Sequence, residues 1–233
     1  MKIAILSDIH GNYDAFNAVI KSSLKFNINK FFILGDIMGY FYDSNKILSY
    51  ILKLDCEIIK GNHDAMFLKS LENNKYKKYL IDKFGNSYNQ DIVKISKSNI
   101  NYLKSLKSKK SIEIDNAKIL ICHGSPKRID QYIYPDCKKK ILRYFFSQYN
   151  ENIILAGHTH RRMHYNYKNN HFINFGSVGQ FREKGGLASW GIIDTITLEF
   201  KNVLTCYKRK NLIKQIKEYD PKKEDFLIKS LYR

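Results

Sequence analysis

The chain has 233 residues, 44% of them hydrophobic and 27% charged, with only three prolines. This composition excludes a largely disordered chain, and the length suits a single domain over residues 1–233 with a full core. The net charge of +18 points to an anionic partner, whether nucleic acid, a membrane surface or a phosphorylated substrate, without choosing among them.

Residues 3–6, Ile-Ala-Ile-Leu, form a continuous apolar run, the pattern of a strand buried on both faces. Asn12 then suits the N-cap of a helix whose apolar positions Ala15, Phe16, Val19, Ile20 and Leu24 recur at helical spacing. A second buried strand is expected at 31–34, a helix at 44–54 and a third short strand at 57–60. This alternation predicts an α/β core with parallel strands. Residues 65–110 read as helical, with Ser96 capping a helix that carries Ile100, Leu103 and Leu106. Beyond them, runs at 111–114 and 118–122 flank the turn Asp115-Asn116-Ala117. A helix follows at 137–147 and a buried strand at 153–156. Segments 164–167, 172–175, 190–194 and 198–207 are close enough for antiparallel pairing, and helices near 212–219 and 223–231 close the chain. No repeat at a fixed period is present.

The basic excess is nearly absent from the first sixty residues and spread over the rest, which is unlike a dedicated basic tail. Cys56, Cys122, Cys137 and Cys206 are widely spaced and contain no CxxC pair, so reduced thiols are expected. The N-terminal apolar run is too short for a signal peptide, and nothing approaches the roughly 20 apolar residues that span a bilayer. A cytoplasmic protein without a membrane partner is the expectation.

Five polar clusters each follow a predicted strand: Asp8-Ile9-His10, Gly35-Asp36, Gly61-Asn62-His63-Asp64, His123-Gly124 and Gly157-His158-Thr159-His160. Open α/β sheets build their sites at strand C-terminal ends. Carboxylate and imidazole together suit first-row ions such as manganese, iron, zinc, cobalt or nickel. One ion needs three or four protein ligands, so this inventory is large enough for two. Two ions about 3.5–4 Å apart can hold a bridging hydroxide and clamp a phosphoryl group.

The segments SDIHGN, GDIMGY, GNHD, CHGSP and GHTH resemble, in order, the five motifs of the calcineurin-like metallophosphoesterase superfamily, and INFGSVGQ resembles the segment that follows in small prokaryotic members. The resemblance implies a four-layer α-β-β-α sandwich of two mixed sheets flanked by helices. It also implies two divalent ions, manganese first: Asp8, His10 and His160 on one, Asn62, His123 and His158 on the other, and Asp36 bridging. His63 resembles the non-ligand histidine that contacts the scissile phosphate and can protonate the leaving group. The implied activity is a dinuclear phosphoesterase, foremost a phosphodiesterase. A nuclease or nucleotide-processing enzyme, a phosphomonoesterase or protein phosphatase, and a non-catalytic scaffold are the alternatives.

One departure stands out. In the protein serine/threonine phosphatase branch an Asp-Arg pair follows the second motif, and that Asp orients the catalytic histidine. Here Asp36 is followed by Ile37-Met38-Gly39-Tyr40, so the orienting partner of His63 is undefined. Asp64 reads as structural. Asn12 suits phosphate contact as well as helix capping; Arg161 and Arg162 suit an anion clamp or a solvated pair. Ser177 and Gln180 belong to a turn, while His164 and His171 fall on strands away from the ligand set. Ser125 lacks the G-x-S-x-G context of a serine hydrolase. Trp190 and most Tyr and Phe residues are expected in the core, and no interleaved basic–aromatic RNA motif is present.

Overall fold

A computed structural model describes residues 1–232. Two mixed five-stranded sheets pack face to face, and helices cover their outer faces. The first sheet has the order β10-β9-β1-β2-β3, from β1 (Lys2–Leu6), β2 (Lys30–Ile33), β3 (Cys56–Ile58), β9 (Leu187–Asp194) and β10 (Glu199–Cys206). Strands β1, β2 and β3 run parallel, while β9 is antiparallel to both β1 and β10. The second sheet has the order β4-β5-β6-β8-β7, from β4 (Lys109–Ile114), β5 (Ala117–Cys122), β6 (Ile153–Ala156), β7 (Arg162–Tyr167) and β8 (Asn170–Phe175). Its centre, β5-β6-β8, is parallel, and both edges are antiparallel hairpins.

The unbroken apolar runs follow from burial on both faces. In β1, Ile3 and Ile5 enter the layer between the sheets, whereas Ala4 and Leu6 meet the helices outside. In β5 and β6, Ile119, Ile121, Ile153 and Leu155 face inward, while Leu120, Cys122, Ile154 and Ala156 pack against Leu142 and Phe145 of α7 (Lys139–Gln148). Burial of each large aliphatic side chain contributes about 1.5–3 kcal/mol. The inter-sheet layer is therefore the clamp that fixes one sheet's loops relative to the other's.

On the first sheet's outer face lie α1 (Tyr13–Ser23) and α2 (Ser44–Ile51). Helix α2 stops before the expected residue 54, because its chain tightens there: Lys53 N–H donates to Tyr50 O at 3.0 Å and Leu54 N–H to Ile51 O at 2.9 Å. The expected helical stretch 65–110 is four helices, α3 (Asn62–Ser70), α4 (Asn74–Phe84), α5 (Ser87–Lys94) and α6 (Lys97–Ser105). Its last residues belong instead to β4, where pairing with β5 gives Lys109 and Lys110 an extended backbone. Ser96 caps α6 by accepting from Asn99 N–H. Helices α8 (Lys210–Tyr219) and α9 (Glu224–Leu231) pack their apolar faces on Tyr40, Phe41 and Tyr42. No helix of the described residues is long and apolar enough to cross a membrane.

Candidate metal centre

The loops after β1, β2, β3, β5 and β6 meet at one rim, and that rim gathers every residue expected as a ligand. Asp8, His10 and His160 form one group whose ligand atoms lie within 4.8 Å of one another; Asp36, His123 and His158 form a second. Asp36 lies between them, with Oδ2 3.8 Å from His10 Nε2 and 3.1 Å from His123 Nε2. Asn62 joins the second group through Oδ1, 3.0 Å from His123 Nε2. All but Asn62 of these seven are buried.

Tight loops place them. Asp8, His10, Asp36, His158 and His160 all have positive φ, between 52° and 68°, a left-handed conformation that non-glycine residues rarely adopt. Surrounding hydrogen bonds impose it: Asp8 N–H donates to Gly35 O, His10 N–H to Asp36 O, and His158 N–H to the Asp8 carboxylate. Asp64, at the third position of α3, accepts four backbone amides at 2.8–3.0 Å, those of Gly61, Asp36, Ile37 and Met38. It ties the GNHD loop to the GDIM loop, the structural part read for it above. Gly61 is required by close approach, since a Cβ there would lie 2.2 Å from both Asp36 N and Asp36 Oδ1.

Hydrogen-bond accounting sets the histidine tautomers. A carbonyl oxygen only accepts, so His10, His123 and His160 each donate Nδ1–H, to Met38 O (3.0 Å), Leu34 O (2.6 Å) and Gln180 O (3.0 Å). When neutral, their Nε2 atoms carry bare lone pairs, and these face other acceptors. His10 Nε2 lies 3.1 Å from His160 Nε2, while His123 Nε2 faces Asn62 Oδ1 and Asp36 Oδ2. A proton on a ring or a bound metal cation relieves such a convergence, and a set of carboxylate, imidazole and amide donors suits a borderline divalent ion. His158 has the opposite arrangement: Nε2–H donates to Asp130 O at 3.2 Å, which frees Nδ1. The residues fit the two-ion assignment.

Electrostatics agree. Burial would raise the Asp8 and Asp36 carboxyls, yet the charges of His160 and His123 on Asp8, and of His123 and His63 on Asp36, outweigh it and hold both well below the usual range. At His123 burial opposes the charged ring, but Asp36 and Asp8 push it up to about 10. The pocket thus favours positive charge at its centre. Burial lowers His63 to about 4; burial, then repulsion from His123, does the same at His158.

His63, also on α3, sits against the same centre, with its ring 4.8 Å from that of His10. Its Nδ1 is 2.7 Å from the hydroxyl of Tyr88 on α5. His63, Asn62 and His158 border a cavity of about 560 Å³, also walled by Phe84, Tyr132 and Phe226. Arg161 and Arg182, with Tyr134, border a second cavity of about 730 Å³.

The remaining candidates fall as their contacts dictate. Asn12 is fully buried: its Oδ1 accepts Ala15 N–H as the cap of α1, and its Nδ2 donates to Gly179 O. Its side chain is committed within the fold. Arg162 pairs with Glu183 at 2.8 Å and borders a separate cavity of about 250 Å³, whereas Arg161 borders the cavity of about 730 Å³. Ser177 bonds Asp8 O and Gln180 N–H, as a turn residue does. His164 and His171 bond each other at 3.0 Å, and Trp190 is fully buried. Sequence reasoning missed Tyr88, and it missed Tyr132, whose ring lies 3.9 Å from that of His158. The only signal for either was an aromatic residue in a helix or loop.

Residues 1–197 match the family model of the calcineurin-like phosphoesterase superfamily domain. An uncharacterised protein of Methanocaldococcus jannaschii is 29% identical over 231 residues, covering 92% of this chain and 91% of that one. A hypothetical protein from Pyrococcus horikoshii OT3 superposes with a TM-score of 0.87 at 22% identity, covering 100% of this chain and 98% of the other. A metallophosphoesterase from Sphaerobacter thermophilus superposes with a TM-score of 0.81 at 22% identity and 99% coverage of both. These two structures share the fold.

Proposed function

The chain belongs to the calcineurin-like phosphoesterase superfamily, and from that premise we propose that it is a phosphodiesterase working with two divalent ions, manganese being the first to test. The observation that carries the reading is the convergence of imidazole nitrogens and ionised carboxylates on two adjacent points. Asp8, His10 and His160 would hold one ion, Asn62, His123 and His158 the other, with Asp36 shared. Bound there, the ions would supply Lewis-acid charge and lower the pKa of a water to near neutrality.

The chain's own residues do the rest. Asp64 holds the GDIM and GNHD loops together, and so fixes Asp36 and Asn62. His63 meets the phosphoryl and leaving oxygens from the edge of its cavity. Arg161 and Arg182 attract an anionic substituent. A diester phosphorus carries substituents on two sides, and a cavity at Asn62, His63 and His158 together with a second one at Arg161 and Arg182, whose backbone N–H donates to His160 O, supports that reading over a monoester. The net charge of +18 favours nucleic acid as the second substrate class, which steep salt dependence of binding would identify. Four free cysteines accord with a reducing, cytoplasmic setting.

The deciding experiment compares bis(p-nitrophenyl) phosphate with p-nitrophenyl phosphate on protein of measured metal content, with added Mn²⁺. Diester preference, lost together with at least one ion in Asp36→Asn, is expected. Monoester preference would overturn the diester reading, and full activity in Asp36→Asn would overturn the metal assignment.

A further inference from the structure

We infer that Tyr88 locks His63 into the tautomer bearing its hydrogen on Nε2, so that His63 meets the substrate as an uncharged hydrogen-bond donor. The inference rests on the reading of His63 as the residue that meets the phosphoryl group. It also fills the place left by the Asp-Arg pair that does not follow Asp36.

Hydrogen-bond accounting decides the direction. The Tyr88 side chain is fully buried, and among the described residues its hydroxyl has one hydrogen-bond partner, His63 Nδ1 at 2.7 Å. Were Nδ1 to carry a hydrogen and donate it, the hydroxyl hydrogen would be buried without an acceptor, which native interiors avoid. Tyr88 therefore donates, and Nδ1 accepts with its lone pair. A ring with a lone pair on Nδ1 is neutral, so its single hydrogen is on Nε2.

The surroundings are built for this pair. Tyr40 and Phe84 rings lie 5.2 and 4.8 Å from the His63 ring, and an Asp36 carboxylate oxygen belongs to the group within 4.8 Å that includes His10 and His63. Gly39 has a φ of +88°, and a Cβ there would stand 2.4 Å from His63 Nδ1 and 3.2 Å from the Tyr88 hydroxyl. The glycine of GDIMGY is thus the residue that admits the pair.

The chemical consequence differs from that of a carboxylate partner, which stabilises an imidazolium able to give up a proton. A neutral imidazole hydrogen-bonds a developing oxyanion without losing its hydrogen. A water oxygen bonds to phosphorus as the P–O bond to the leaving group breaks with its electron pair on the leaving oxygen; the Nε2–H bond stays intact, and the proton shed by that water reaches the leaving oxygen through solvent. Tyr88 is a positioning residue, acting through His63.

Nitrogen-15 NMR of the imidazoles tests the tautomer without turnover, on the protein with and without Zn²⁺. A pyridine-type Nδ1 and a protonated Nε2 at His63 are expected, with the ratio shifting in Tyr88→Phe. A hydrogen on His63 Nδ1 in the unaltered protein would overturn the inference, even if phosphodiesterase activity is present. Absence of that activity would instead sink the functional reading and leave the tautomer decided by the spectrum. With activity present, Tyr88→Phe should lower kcat by roughly tenfold or more at unchanged KM and metal content. His63→Gln, which keeps an N–H donor, should retain at least about ten times the kcat of His63→Ala. Equal loss in Gln and Ala variants would count against a neutral donor.

Discussion

Asp64→Asn isolates the knot that ties two ligand loops together. Each Asp64 oxygen accepts two backbone amides: Oδ2 those of Asp36 and Gly61, Oδ1 those of Ile37 and Met38. Asparagine keeps one acceptor oxygen and turns an NH₂ group toward the other two amides, leaving two buried donors unpaired. A hydrogen bond to a charged acceptor contributes about 1.5–3 kcal/mol, so two losses amount to roughly 3–6 kcal/mol. That is a large share of the roughly 5–15 kcal/mol that stabilises a typical domain. Burial and the charge of Asp36 raise the Asp64 carboxyl to about 6, so the comparison belongs at pH 8, where Asp64 is ionised. Urea unfolding of the metal-free protein, with the m-value checked for constancy, measures the difference. Metal content of the folded variant should fall as well, because Asp36 and Asn62 lose their common anchor. A destabilisation below about 1 kcal/mol would refute the four-amide account.

Three further outcomes follow from the same geometry. His123 is held up at about 10 in the absence of metal, so an incoming ion must displace its proton; apparent affinity should rise about tenfold per pH unit between pH 7 and 9, with proton release measurable in weakly buffered solution. A pH-independent affinity would contradict this. Burial raises buried Asp91 to about 8, against an ordinary value of 3.8, despite its hydrogen bond from Ser44. Between these values the folded chain binds more protons than the unfolded chain, so this group's contribution to stability falls as pH rises from about 4 to 8; Asp91→Asn should flatten that slope in unfolding midpoints. Arg161 is exposed beside its cavity, so Arg161→Ala should raise KM by up to about fivefold with little change in kcat, and added salt should shrink the difference.

Much of the fold was legible because its causes are local. Ile3–Leu6 and residues 153–156 read as buried strands since both of their faces are covered, and the structure supplies both covers. Asn12 and Ser96 were recognisable as caps because a short polar side chain before a helical pattern has one common use, and both accept the amide three residues on. The division of the expected helical stretch 65–110 was legible only at Ser96, which opens α6; that Gly85, with φ +98°, ends α4 was not, and the packing of these helices on α2 and α3 depends on distant partners.

The inventory of candidate ligands was written in the chain, as Asp, Asn and His after five strands, and so was the absence of the usual orienting pair after Asp36. Which atom of each histidine faces the centre was not. That is set by the backbone carbonyls of Leu34, Met38, Asp130 and Gln180, groups that every residue carries and no sequence pattern marks. Tyr88 met His63 from 25 residues away because α5 packs against α3's neighbours and Gly39 leaves room between them. The charge of +18 pointed to an anionic partner, and residue order to the phosphoesterase family. Proton positions and the shapes of the two cavities arise only where loops from both sheets close on one rim, since they depend on distances that the inter-sheet core sets.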